Sequence, residues 1–247
     1  MTPTGLAPIG RRLLAEYLGS LFLAAIVIGS GIAAQTLSPD APGLELFENA
    51  AATAAGLFAI ILIFGPVSGA HLNPVVSLVD AAFGGLTWRD AGWYLVAQVS
   101  GCASGAVLAN LMFARAGVSI STHHRATLAH ALAEVVATVG LVLVIFALAR
   151  TGRGAAAPAA VGAFIGAAYF FTSSTSFANP AITVGRMLSN SFAGIAPSSA
   201  PAYIGAEVVG GLLGFALIRA LYPGVTALEA TRVVVPHTTD SGGTGRP

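Results

Sequence analysis

Two short stretches echo each other and decide the fold: Ser68-Gly69-Ala70-His71-Leu72-Asn73-Pro74-Val75 and Ser176-Phe177-Ala178-Asn179-Pro180-Ala181. Each sets Asn directly before Pro at the head of a small apolar segment. Asn is a favoured helix N-cap and Pro is at home in the first helical position, so each Asn-Pro reads as a helix start. A lone Asn-Pro is more often a turn; two copies in matching places of two repeats reverse that reading. The apolar segments are interrupted near Asp80 and near Ser189-Asn190. At about 1.5 Å per residue, about ten residues cover roughly 15 Å, half of a hydrocarbon core of about 30 Å. Two half-length helices meeting at the midplane complete one span, and broken backbone is tolerated there when it lines a wet cavity. The positive ends of both helices then point at one spot. Each Asn caps its helix through the carbonyl oxygen and keeps amide N–H groups for the cavity. Such a junction welcomes a neutral solute with oxygen acceptors and repels a cation.

Composition agrees with a membrane setting. Of 247 residues, 55% are hydrophobic and 9% charged, which excludes both a soluble and a disordered chain. All eleven basic residues are Arg, and a net charge of +1 implies no nucleic-acid partner. The single Cys102 forbids an internal disulfide and, in its apolar, Gly-rich run, reads as a packing residue. Arg11-Arg12 followed by a long apolar run, with no small-residue cleavage site, reads as an uncleaved first span.

Six full-length apolar segments are expected, over Leu13–Ala33, Asn49–Phe64, Ala91–Phe113, Thr127–Ala149, Ala157–Phe171 and Ala200–Leu221. The halves, 13–114 and 127–222, repeat. Ala15-Glu16 matches Ala133-Glu134, Asn73-Pro74 matches Asn179-Pro180, and Gln98 matches Glu207. Gly101 and Gly105 match Gly210 and Gly214, each pair a small-xxx-small motif for close helix approach. Three spans per half require the halves to insert with opposite orientation, as an inverted repeat. With the N-terminus inside, Arg11, Arg12, Arg89, Arg150, Arg153, Arg219, Arg232 and Arg246 are cytoplasmic, and only Arg115, Arg125 and Arg186 are outside. Both termini are therefore expected in the cytoplasm. Residues 1–223 read as the channel domain and 224–247 as a largely disordered cytoplasmic tail.

These residues resemble the aquaporin superfamily, the major intrinsic proteins, over about Leu13–Tyr222. The resemblance rests on Ala-Glu-Tyr-Leu-Gly in span one, Ser-Gly-Ala-His-Leu-Asn-Pro before the first half-helix, Asn-Pro-Ala before the second, and the small-xxx-small pairs. It implies an all-α, right-handed bundle of six transmembrane helices plus two re-entrant half-helices. It also implies a pore through each subunit and a homotetramer in the membrane lipid. The pore signature falls on Asn73, Pro74, Val75, Asn179, Pro180 and Ala181, with Val75 where the family usually has Ala. By ungapped spacing the outer filter falls on Thr53, Ala167, Ser176 and Ile182. Ile182 stands where aquaporins normally carry Arg. A filter of this kind, without Arg and without a large aromatic, implies a wider pore. In this it is similar to the bacterial subgroup associated with arsenic resistance, which places the chain in a bacterial inner membrane.

Other residues carry competing readings. His71 lines the inner mouth and donates to solute or water, or is satisfied by neighbouring carbonyls. Glu16 and Glu134 are costly in a membrane unless partnered; they relay protons or, as the resemblance implies, accept hydrogen bonds from the half-helix loops, one Glu per loop. Glu207 is a third buried acid or faces solvent near the membrane edge. Arg186, four residues past Ile182, shares its helix face one turn outward. It hangs over the outer vestibule, or it snorkels or is tied to loop carbonyls. His123-His124 have no accompanying Cys, Asp or Glu and read as solvated rather than as a metal site. No cofactor and no catalytic constellation is expected. The expected function is passive conduction of water and small neutral solutes, including glycerol, urea, arsenous acid and methylated arsenicals. The competing readings are a proton-coupled secondary transporter using Glu16 and Glu134, and a non-conducting membrane scaffold.

Overall fold

The structure, a computed structural model, describes residues 7–223. The stretch 224–247, expected as a tail, lies outside the described residues. Eight α-helices occur in the order α1 (Ile9–Leu37), α2 (Pro42–Ser68), α3 (Pro74–Phe83), α4 (Trp88–Met112), α5 (Leu128–Arg150), α6 (Ala157–Phe171), α7 (Pro180–Arg186) and α8 (Ala200–Leu221), with a 3₁₀ turn at Gly154–Ala156 before α6. Among the described residues, six of these helices are long and apolar enough to cross a membrane. The two short ones, α3 and α7, are the expected half-helices.

Several boundaries differ from expectation, each for a local reason. Helix α2 begins at Pro42 rather than Asn49, because Pro sits at its first turn and Glu45 near its N-terminus, and both suit a helix start outside the apolar zone. It ends as Pro66 closes the last turn and Gly69 takes the left-handed conformation (φ 88°). Helix α7 has seven residues rather than about ten. Its last turn tightens, with Met187 N–H on the Val184 carbonyl (3.2 Å) and Leu188 N–H on that of Gly185 (3.0 Å). The freed carbonyls of Met187 and Leu188 accept instead from Ser121 and Ser119 of the loop between α4 and α5.

The repeat is visible in the packing. In the first half α1 lies against α4, and in the second α5 lies against α8. A Cβ added at Gly101 or Gly105 would collide with the backbone carbonyls of Tyr17 and Leu21. One added at Gly210 would lie 2.7 Å from the Val135 carbonyl. Only backbone fits at these crossings, as the small-residue spacing implies. Cys102 is buried in the same seam, its Sγ 3.5 Å from the Ser20 carbonyl, which is the packing role expected of it. Helices α2 and α6 join the halves. Outside, Phe22, Phe58, Leu62, Ile63, Leu212 and Leu213 are exposed, an apolar coat suited to hydrocarbon rather than water.

Candidate functional site

The loops before α3 and α7 are built alike. Ala70 and Leu72 have φ of 46° and 50°; Ser176 and Ala178, at the same offsets before the second Asn, have 50° and 48°. Left-handed backbone in four non-Gly residues costs on the order of 1–2 kcal/mol each and persists only where the surroundings fix it. A buried Glu does the fixing in each half. Glu16 Oε1 accepts from His71 N–H (2.9 Å) and the Ser68 hydroxyl (2.6 Å), and Oε2 from Leu72 N–H (2.7 Å). Glu134 Oε1 accepts from Phe177 N–H (2.9 Å) and Oε2 from Ala178 N–H (2.7 Å). Both side chains are fully buried. The structural reading of the two acids is therefore the one the geometry carries. Glu16→Gln replaces one acceptor oxygen with an N–H facing another N–H. It should cost about 1–3 kcal/mol and lower the unfolding temperature of the purified protein.

At the junction each Asn does two things. Asn73 Oδ1 accepts from Val75 N–H (2.9 Å), and Asn179 Oδ1 accepts from Ala181 N–H (3.0 Å) and Ile182 N–H (3.4 Å), so both cap their helices. Asn73 Nδ2 then donates across to the Ala178 carbonyl (2.7 Å), and Asn179 Nδ2 to the Leu72 carbonyl (2.8 Å). Each carboxamide has two N–H groups. One locks the opposite loop and the other remains for the lumen, a division the sequence did not suggest. Val75, Pro74, Pro180 and Ala181 are buried in the packing around the junction; Val75 seats its Cγ1 where a side chain at Gly211 would stand. The extra bulk relative to Ala is thus taken up by a glycine of α8.

Asn73 and Asn179 line a cavity of about 60 Å³ that runs between the half-helices. One water needs roughly 10–15 Å³ measured this way, so the space holds several. Its wall is mostly apolar: Leu23, Val27, Leu57, Ile61, Leu141 and Ile145 among others. Thr53, Ser176 and Ile182 line it as expected. Ala167 does not. It is exposed on the outer side of α6, and the cavity face of that helix is Val161, Ile165 and Tyr169, spaced by four. The compact left-handed connection from Thr172 to Ala178 shifts the ungapped register by two residues. Tyr169 therefore takes the place expected of Ala167, and the expectation of no large aromatic is corrected. Its hydroxyl lies 3.1 Å from Thr53 Oγ1, so the two tie α6 to α2 on one wall. Ser176 lines the cavity, and its Oγ is buried with no protein partner.

His71 borders the cavity, yet both ring nitrogens face protein. Nδ1 lies 3.1 Å from Ser77 Oγ and Nε2 3.7 Å from Asp80 Oδ2, and the ring packs edge-on against Tyr94. Arg186 reconciles its two readings. It borders the cavity one turn beyond Ile182, is almost fully buried, hydrogen-bonds through Nε to the Ala193 carbonyl, and stacks on Phe177 at 3.4 Å. Sequence reasoning missed Arg125. Its Nε and Nη2 hold the carbonyls of Gly194 and Phe192 (2.8 Å each), so Arg125 and Arg186 together pin residues 192–194. His123 and His124 are exposed, as expected. Glu207 is fully buried, which removes its solvent-facing reading.

Comparison with known proteins agrees with this geometry. The profile of the major intrinsic protein family matches residues 6–178. The aquaglyceroporin AqpS of Rhizobium meliloti (strain 1021) is 45% identical over 228 residues, covering 92% of this chain and 94% of that protein. Aquaporin NIP1-4 of Oryza sativa subsp. japonica is 34% identical over 184 residues, 72% of this chain and 66% of that one. The X-ray structure of the aquaglyceroporin from Plasmodium falciparum superposes with a TM-score of 0.66 at 19% identity, over 87% of this chain and 98% of that one, a likeness of fold. Six spans, two capped half-helices locked Asn to loop, and these relatives lead to one conclusion: the chain belongs to the major intrinsic protein (aquaporin) family, whose members are membrane channels for water and small solutes and not enzymes.

Proposed function

We propose that this chain is a passive channel whose solutes extend beyond water to glycerol, urea and neutral arsenicals, arsenous acid and its methylated forms among them. The observation that carries the reading is the wall at Ile182. An apolar side chain borders the lumen there, with Ser176 on the same wall. The nearest guanidinium, that of Arg186, is one turn away and tied to the 193 carbonyl. A polyol-like solute can lay its carbon side on Ile182, Val27 and Ile165 and offer its hydroxyls to Ser176 and the Asn pair. Tyr169 makes this opening narrower than the sequence implies, so the bias is toward slender solutes. The name of the AqpS relative supports the glycerol part of the reading. Filter roles for Thr53, Tyr169, Ser176 and Ile182, a homotetramer in the bacterial inner membrane, and cytoplasmic termini belong to the same proposal. The tetramer follows the habit of the family, and the orientation is supported by the Arg distribution.

Proton coupling through Glu16 and Glu134 is disfavoured, because both carboxylates are fastened to loop N–H groups and neither borders the cavity. The test is stopped-flow light scattering on proteoliposomes, with water, glycerol, urea and arsenous acid compared side by side. Expected is non-saturating glycerol and arsenous acid entry well above protein-free vesicles. Conduction of water alone refutes the proposal. Saturable flux driven by a pH gradient would favour the transporter, and no flux at all the scaffold.

A further inference from the structure

The two halves place matching side chains in matching positions, and one pair breaks the match. In the first half Gln98 Nε2 donates to Glu16 Oε2 at 2.8 Å and to Ser77 Oγ at 2.9 Å. The second-half counterparts of Glu16, Gln98 and Ser77 are Glu134, Glu207 and Thr183. Thr183 Oγ1 lies 2.8 Å from Glu207 Oε1, as Ser77 lies to Gln98. By the same repeat the Glu207 carboxyl of α8 stands next to that of Glu134 on α5, in the place that Gln98 takes against Glu16. Both acids are fully buried, and Glu207 Oε2 lacks any donor partner, as does Gln98 Oε1. A Gln in this place has N–H groups to donate. A Glu has a donor only when it carries a proton, and two bare carboxylates in contact away from water repel.

The surroundings say which acid holds it. Glu134 already accepts two backbone N–H groups, with the Ser174 side chain beside it. The cation of Arg186 acts on it from α7, and that of Arg125 from the outer loop. Tyr203 of α8, with His130 of α5 edge-on against its ring, and Tyr169 of α6 are further titratable groups of the cluster. Glu134 is the partner suited to stay charged. Glu207 receives only the Thr183 hydroxyl and the nearby Asn179 backbone. We propose that Glu207 is a neutral carboxylic acid whose O–H is given to the Glu134 carboxylate, and that this one proton, absent from the first half, holds α8 against α5 and so keeps the outer half-helix and Asn179 in register. Glu207 does not border the cavity and acts as a positioning residue. Removing its proton to bulk water leaves two adjacent carboxylates and loosens the outer half-helix, whereas the Gln98–Glu16 pair has no such proton to lose.

The test uses the full chain in proteoliposomes and compares the wild type with Glu207→Gln and Glu207→Ala. The infrared difference between wild type and Glu207→Gln should show the C=O stretch of a protonated, buried carboxyl, a readout independent of which solute passes. Glu207→Gln rebuilds the first-half arrangement and should conduct as the wild type does. Glu207→Ala leaves Thr183 and Glu134 without their partner and should lower flux about tenfold or more. Raising the pH should reversibly reduce wild-type flux and leave Glu207→Gln flat. The proposal is overturned if no protonated-carboxyl band distinguishes the two proteins, or if Glu207→Gln keeps the alkaline loss. Should Glu207→Ala fail to fold, the Glu207→Gln comparison decides alone.

Discussion

Asn179→Asp should leave a folded, six-span protein that conducts neutral solutes poorly and leaks ions. The substitution separates the two jobs of the residue. Asp is as good an N-cap as Asn, so the bonds from Ala181 and Ile182 to Oδ1 survive and the helix dipole favours the new charge. The bond to the Leu72 carbonyl does not survive, because a carboxylate has no N–H, and an oxygen then faces an oxygen 2.8 Å away. Two half-helix ends together present about one positive elementary charge to the junction, and a single carboxylate cancels it. Neutral-solute flux should fall about tenfold or more, the size expected when about 1.4 kcal/mol is added to the barrier. Cation leak, measured by the membrane potential that a salt gradient generates across proteoliposomes, should rise. Unchanged flux together with unchanged leak removes Asn179 from the junction's electrostatics.

What could be read from the sequence follows from which physics is local. Half-helix starts are written in two adjacent residues, because capping and the Pro φ are local effects. They appear in the structure at Pro74 and Pro180. The seams of α1 with α4 and of α5 with α8 were legible because close approach admits only small residues, against backbone at Gly101, Gly105 and Gly210 and against the Val142 side chain at Gly214. Glu16 and Glu134 were legible as partnered acids because an unpartnered one is too costly in hydrocarbon.

What was not legible depends on chain length between elements or on partners distant in sequence. Ungapped spacing puts the filter position of α6 at Ala167, but such spacing fails across a connection that packs Thr175, Ser176 and Ala178 into left-handed backbone. The spacing of Val161, Ile165 and Tyr169 on one helix face was the signal that could have corrected it. Arg125 looked like a loop charge, since nothing near it in sequence names the carbonyls of 192 and 194 as its partners. The pairing of Glu207 with Glu134 was hidden in the same way, though the repeat that equates it with Gln98 already pointed to the place.

Ile182→Arg should close the pore to larger solutes while sparing much of the water flux. Ile182 is almost fully buried and borders the lumen with Thr53, Tyr169 and Ser176. An Arg at 182 is longer, and its guanidinium must find acceptors inside that ring. The Thr53 and Tyr169 hydroxyls of the same wall, and the unpartnered Ser176 Oγ beside them, are the acceptors within that ring. The substitution also sets a second guanidinium one helical turn from that of Arg186, on the same face. Diameter and electrostatic barrier are two of the determinants of selectivity in such pores, and both move in one direction. Glycerol and arsenous acid flux should drop about tenfold or more, with water falling less, because a single-file water still fits beside a hydrogen-bonding wall. Tyr169→Ala in the same background should restore part of the glycerol flux by returning width across the lumen. Stopped-flow measurements on both variants, with the fold checked by circular dichroism, decide it. If Ile182→Arg leaves glycerol and arsenite permeation untouched in a folded protein, position 182 does not set the filter.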